Sequence, residues 1–146
     1  MGGSAPTTLI HWPLDGGAVT PADLRILVVD DEADVREAVV SLLETFLDHP
    51  DVRQAGSGGE GLDELRRGKV DLIVTDFKMP GMDGAQFLRE ADKLFPGTPH
   101  IMVTAFDLEA LQSLGPGVTA RVVHKPFEPQ ALLDVVDDVL AAAGAA

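Results

Sequence analysis

The sequence predicts an α/β fold: a five-stranded parallel sheet with helices on both faces. Three observations carry this. Strand-like and helix-like segments alternate five times along residues 24–142. The runs at 26–29, 71–74 and 101–103 are continuously apolar, as strands covered on both faces are. The linkers are short, which suits right-handed helical crossovers between neighbouring parallel strands.

Each element has its own justification. Residues 24–29 are a β-branched run ending in Asp30-Asp31. Residues 33–47 carry Val35, Ala38, Val39, Leu42, Leu43 and Phe46 at helical spacing, with one buried stripe. A weak second strand at 52–55 leads through a turn at 56–61 into a short helix at 62–67, stopped by Gly68. Residues 70–75 are an apolar strand ending at Asp76, and Met79-Pro80-Gly81-Met82-Asp83-Gly84 is a loop by its Pro and Gly content. The helix at 85–95 turns Phe87, Leu88, Ala91 and Leu94 inward and stops at Pro96. A fourth strand at 100–103 ends at Thr104, and 108–114 give at most two helical turns before Gly115-Pro116-Gly117. A fifth strand at 120–124 ends at Lys125-Pro126, and the last helix covers 129–142.

The flanks differ. Residues 1–23 are rich in Gly, Pro and small side chains and read as a flexible N-terminal arm. Leu9, Ile10, Trp12 and Leu14, with the single tryptophan, interrupt that pattern; they suit either a plain tether or docking on the domain or a partner. Residues 144–146 close an Ala-rich tail expected to fray.

Composition narrows the function. A chain of 146 residues is about one domain. Its 24 Asp and Glu against 11 Lys and Arg give a net charge of −13. That argues against a direct nucleic-acid partner, which needs clustered cations, and against anionic membranes. The absence of cysteine excludes disulfides, thiolate nucleophiles and Cys-based metal centres. With no secretory pattern at the N-terminus and no apolar run of about 18 residues, the cytoplasm is the expected location.

The polar strand ends carry the chemistry. In an open parallel sheet ligands bind at the carboxyl ends of the strands. Asp30, Asp31, Asp76, Thr104 and Lys125 should therefore converge in one cleft. Clustered carboxylates repel one another unless a cation sits among them, and their hard oxygens suit Mg²⁺. A divalent cation, an ammonium and a hydroxyl together offset the charge of a phosphoryl group. A carboxylate can itself accept that group, and Asp76, before a loop at the end of the central strand, is the best candidate.

With these residues in place, the chain resembles the receiver domain of two-component response regulators. The resemblance rests on the run from Leu27 to Glu32, the run from Asp71 to Gly84, Val103-Thr104-Ala105, and His124-Lys125-Pro126-Phe127. It covers residues 24–143 as one receiver domain. It implies a flavodoxin-like, doubly wound sheet of order 2-1-3-4-5. It implies that Asp76 accepts a phosphoryl group from a histidine kinase or a histidine phosphotransfer protein. It assigns Mg²⁺ to Asp31 and Asp76, to Asp30 mostly through water, and to the backbone carbonyl of Lys78. It sets Thr104, Lys125 and the N–H groups of Phe77 and Ala105 against the phosphoryl group. The Lys125–Pro126 bond should be cis. A phosphoryl group would draw Thr104 inward and reshape the face of the fourth helix, fifth strand and fifth helix toward a downstream protein target.

The chain departs from the family pattern in places. Val122 stands where an aromatic residue is usual, and the fourth helix is short. The last helix presents Asp134, Asp137 and Asp138 with only Arg121 nearby. Lys78 and Phe106 flank the expected path of water, where Lys78 would pair with the phosphoryl group and Phe106 would shield it. Two other readings fit the same residues. One is a receiver fragment of a larger regulator. The other is a Mg²⁺-dependent phosphatase with an Asp nucleophile, disfavoured because Lys78 stands where such enzymes carry a second Asp.

Overall fold

A computed structural model describes residues 24–145. The elements run β1 (Arg25–Val29), α1 (Ala33–Phe46), β2 (Asp51–Ala55), α2 (Gly58–Arg67), β3 (Leu72–Asp76), α3 (Gly84–Leu94), β4 (His100–Thr104), α4 (Asp107–Leu114), β5 (Arg121–His124) and α5 (Pro129–Ala145). The expected arm at 1–23, with its Trp12 cluster, lies outside the described residues.

All five strands pair in parallel in the order β2-β1-β3-β4-β5. Alternate strand residues feed two cores. Leu27, Val29, Ile73 and Met102 pack with α2, α3 and α4, around Leu65, Phe87, Leu88 and Ala110. Ile26, Val28, Leu72, Val74, Ile101 and Val103 pack with α1 and α5, around Leu43, Leu132 and Val136. Both faces of the sheet are thus sealed, which accounts for the continuous apolar runs.

The boundaries refine the expectations. Helix α2 starts at Gly58 rather than residue 62, because Ser57 caps it: its hydroxyl accepts from the Glu60 N–H at 3.1 Å. Helix α5 reaches Ala145, three residues beyond the expected end, as an Ala-rich stretch readily does. Helix α4 is short as expected and ends at Gly115, whose φ of 73° turns the chain away. Helix α3 opens with a capping box: Gln86 N–H donates to Asp83 at 2.8 Å and Asp83 N–H donates to the Gln86 side chain at 2.9 Å.

The topology positions the site. The chain leaves β1 for β2 on one side and returns to β3 on the other. The carboxyl ends of β1 and β3 therefore lie side by side at the point where strand order reverses. Val29 pairs with Thr75 in that register, so Asp30 and Asp76 leave the sheet as neighbours.

Candidate functional site

Asp30 and Asp76 are both almost completely buried, and Lys125 lies between them. Its ammonium is 3.4 Å from Asp30 Oδ2 and 3.4 Å from Asp76 Oδ1. The lysine reaches the site because β5 pairs with β4 and the Lys125 N–H donates to the Thr104 carbonyl at 2.9 Å. The Lys125–Pro126 bond beyond it is cis.

Each carboxylate has further partners. The Phe77 N–H donates to Asp76 Oδ1 at 2.7 Å, and the Glu32 N–H donates to Asp30 Oδ1 at 2.9 Å. Arg36 donates to the Asp30 carbonyl at 2.6 Å, fixing the β1–α1 turn. Burial pushes the Asp76 carboxyl above its ordinary range, and the Asp30 charge adds to the rise; Lys125 and the Phe77 N–H pull it back in part. A buried acid destabilised in this way favours an additional cation.

Carboxylate oxygens of Asp30, Glu32 and Asp76 lie within 4.8 Å of one another, a cluster that could hold a metal ion. Asp31, the ligand expected from resemblance, does not fall in that group, and its side chain is exposed. Glu32, which the sequence did not single out, falls in that group. Three consecutive acids leave a sharp turn, and no periodicity tells which of them faces inward.

Thr104 is fully buried, and its hydroxyl accepts from the Phe106 N–H at 3.0 Å. Lys78 makes no ion pair with Asp76. Its ammonium pairs with Glu109 on α4 at 2.7 Å and lies over the rings of Phe77 and Phe106, 5.4 and 5.2 Å from their centroids. Val122 stands opposite Met102 in the β4–β5 register and packs against the α2–α4 core, as an ordinary core residue does. Arg121 pairs with Asp138 at 3.4 Å and His124 with Asp107 at 2.7 Å, linking β5 to α5 and α4.

A doubly wound parallel sheet with an acid pair and a lysine at its switch point defines a class, and comparison with known proteins agrees. The response regulator receiver domain pattern matches residues 26–137, and the chain belongs to that family. Within it, the chain is CheY-like. A chemotaxis protein CheY homolog of Campylobacter jejuni is 37% identical over 122 residues, covering 80% of this chain and 92% of that protein. The chemotaxis protein CheY of Pseudomonas aeruginosa is 36% identical, covering 80% and 95%. A receiver domain structure from Methanospirillum hungatei superposes with a TM-score of 0.71 at 31% identity, covering 83% and 96%. The same family includes longer regulators: the transcriptional regulatory protein GlrR of Escherichia coli is 36% identical, but the match spans only 26% of its length. The chain is thus a receiver domain of the two-component phosphoacceptor type, a signalling domain rather than a conventional enzyme. Among the described residues no helix is long and apolar enough to cross a membrane.

Proposed function

We propose that Asp76 is the phosphoacceptor of this receiver. A carboxylate oxygen attacks the phosphorus of a phosphohistidine on a histidine kinase or a histidine phosphotransfer protein. The P–N bond breaks as the new P–O bond forms, and the imidazole leaves and takes up a proton. The observation that supports this most is the Lys125 ammonium, equidistant from Asp30 and Asp76. It is a fixed positive charge where the incoming phosphoryl oxygens gather negative charge. Thr104 adds a buried hydroxyl held, among the described residues, by the Phe106 N–H. Transfer to and from Asp76 is self-catalysed in the sense that these groups already surround it.

The donor set suits Mg²⁺. Hard carboxylate oxygens of Asp76, Asp30 and either Glu32 or Asp31, with the Lys78 carbonyl, are the ligands such an ion takes. When bound, the ion supplies charge neutralisation for the phosphoryl group.

The output is a contact with a downstream protein target on the α4–β5–α5 face, in the cytoplasm, with no direct nucleic-acid or membrane partner. The acids of α5 favour a target with basic or apolar character. A receiver within a longer regulator would use the same chemistry. A phosphatase is disfavoured by Lys78, which is committed to Glu109 and is no acid or base for a leaving group.

Incubation with Mg²⁺ and acetyl phosphate should add one phosphoryl mass to the native protein and none to Asp76→Asn. An unmodified native protein would overturn the proposal.

A further inference from the structure

The loop after β3 is tied to the start of α4 by an ion pair whose side chains the phosphoacceptor chemistry does not use. The Lys78 ammonium lies 2.7 Å from a Glu109 carboxylate oxygen, and Glu109 belongs to the first turn of α4. Both side chains are about half exposed. The ammonium also lies 5.4 Å from the centroid of the Phe77 ring and 5.2 Å from that of Phe106. Each of these aromatic residues touches the site through its backbone. The Phe77 N–H donates to Asp76 Oδ1 at 2.7 Å, and the Phe106 N–H donates to the Thr104 hydroxyl at 3.0 Å. The Lys78 charge therefore rests against the two residues that hold Asp76 and Thr104.

Three features make this ion pair exchangeable. The first is the cation. A lysine ammonium is a point charge on a flexible four-carbon stem, not a fixed fork, so it can follow a stronger anion. Lys78 is two residues from Asp76 in the chain. The second is the strength of the pair. A solvent-exposed ion pair contributes little, so Glu109 holds the ammonium only while no larger charge is near. The Asp76 carboxylate already has Lys125 at 3.4 Å, whereas a phosphoryl group brings about two negative charges and further oxygens. The third is the helix. Phe106 gives α4 no side-chain cap, and α4 is only 8 residues long, so its first turn can yield.

We propose that Glu109 is a positioning residue of the acceptor site: it holds the Lys78 ammonium away from Asp76, and an incoming phosphoryl group draws that ammonium off it. The proposal rests on Asp76 being the acceptor. Lys78 then shares with Lys125 the negative charge that gathers on the phosphoryl oxygens. Glu109 thereby slows phosphorylation of the resting protein. The exchange also frees the first turn of α4 from the β3–α3 loop and leaves it the contact of Asp107 with His124 at 2.7 Å.

The test follows the rate at which the full-length protein gains a phosphoryl mass from acetyl phosphate and Mg²⁺. Glu109→Gln should speed labelling about two- to fivefold, the range an exposed ion pair supplies. Glu109→Asp keeps the charge and should restore most of the native rate. Added to Lys78→Met, Glu109→Gln should change nothing further. That comparison separates a carboxylate acting through Lys78 from one that merely repels the anionic donor, which would speed labelling in both backgrounds. Equal acceleration in both backgrounds overturns the proposal, and so does a Glu109→Gln rate at or below the native one. In either case a labelled native protein leaves the reading of Asp76 intact; a native protein that takes no label overturns that reading and the proposal with it. A second measurement reads the exchange directly. A zero-length carbodiimide should join Lys78 to Glu109 in the resting protein, and several-fold less when Mg²⁺ and beryllofluoride stand in for the phosphoryl group. An undiminished yield on beryllofluoride binding overturns the exchange.

Discussion

Gly84→Ala tests the physical basis of the site most directly. Gly84 starts α3, and its N–H donates to the Phe77 carbonyl at 2.7 Å, closing the loop that follows Asp76. A Cβ there would press on the Asp76 carbonyl oxygen, with the Phe77 Cα at 2.9 Å and the Asp76 carbonyl carbon at 3.1 Å. These are backbone atoms at the end of the central strand, so no side-chain rotation relieves them. Overpacking costs about 1–3 kcal/mol, and a rigid obstacle argues for the upper end. Replacing glycine in a helix returns about 0.5–1 kcal/mol. The net loss is about 2 kcal/mol, or roughly 6–8 °C in Tm for a domain of this size. Urea and thermal unfolding would measure it, and acetyl phosphate labelling of the folded variant should fall as Asp76 moves. Gly59→Ala is the matched control: its nearest neighbour is the Ser57 hydroxyl at 3.9 Å, and it should be neutral or gain up to ~1 kcal/mol. A Gly84→Ala protein within about 0.5 kcal/mol of the native one would refute the steric argument.

Other perturbations have equally definite outcomes. Lys125→Met leaves two buried carboxylates facing each other and should cost about 3 kcal/mol without Mg²⁺, with part of the loss recovered as Mg²⁺ is added during thermal melts. Glu32→Gln and Asp31→Asn separate geometry from resemblance. Calorimetric Mg²⁺ titration should show the larger loss of affinity in whichever residue is the ligand, and the cluster favours Glu32. Burial holds the His100 imidazole below its ordinary range, with Asp92 and the Thr119 backbone opposing only in part. The folded state therefore binds fewer protons than the unfolded one below the ordinary histidine range. The contribution of His100 to stability is fully present above about pH 6.5 and is lost as pH falls toward its depressed value, with a slope of at most ~1.4 kcal/mol per pH unit. His100→Gln should flatten that part of the pH–Tm profile; identical slopes in the two proteins would count against it.

Much of this was legible in the sequence, for reasons that differ by element. The strands β1, β3 and β4 are apolar on both faces, a pattern tied to a covered parallel sheet; their polar ends marked Asp30, Asp76 and Thr104, and the end of β5 marked Lys125, for one cleft. Helix α2 was read four residues short, because Gly58, Gly59 and Gly61 mask a helix that Ser57 and Glu60 nevertheless start. The same glycine content serves close packing: a Cβ on Gly61 would meet the Phe87 ring at 2.7 Å. Glu32 was illegible because rotation of a carboxylate about a turn leaves no trace in spacing. Lys78 was read as facing the phosphoryl group. Its partner Glu109 lies 31 residues away, on a helix whose orientation only the fold supplies.

The acid cluster has a consequence in charge parity. Asp30, Glu32 and Asp76 carry three negative charges when ionised and Lys125 one positive charge, so the pocket is short by two. A divalent ion closes that gap, and a monovalent one leaves it half open. Phosphorylation then replaces one singly charged carboxylate with a group of about −2, and the balance fails again by one. On the proposed chemistry, the buried Thr104 hydroxyl, which accepts from the Phe106 N–H, is one dipole available to meet that deficit. Under the proposed chemistry, a chemical event worth one elementary charge would be converted into the movement of an uncharged side chain.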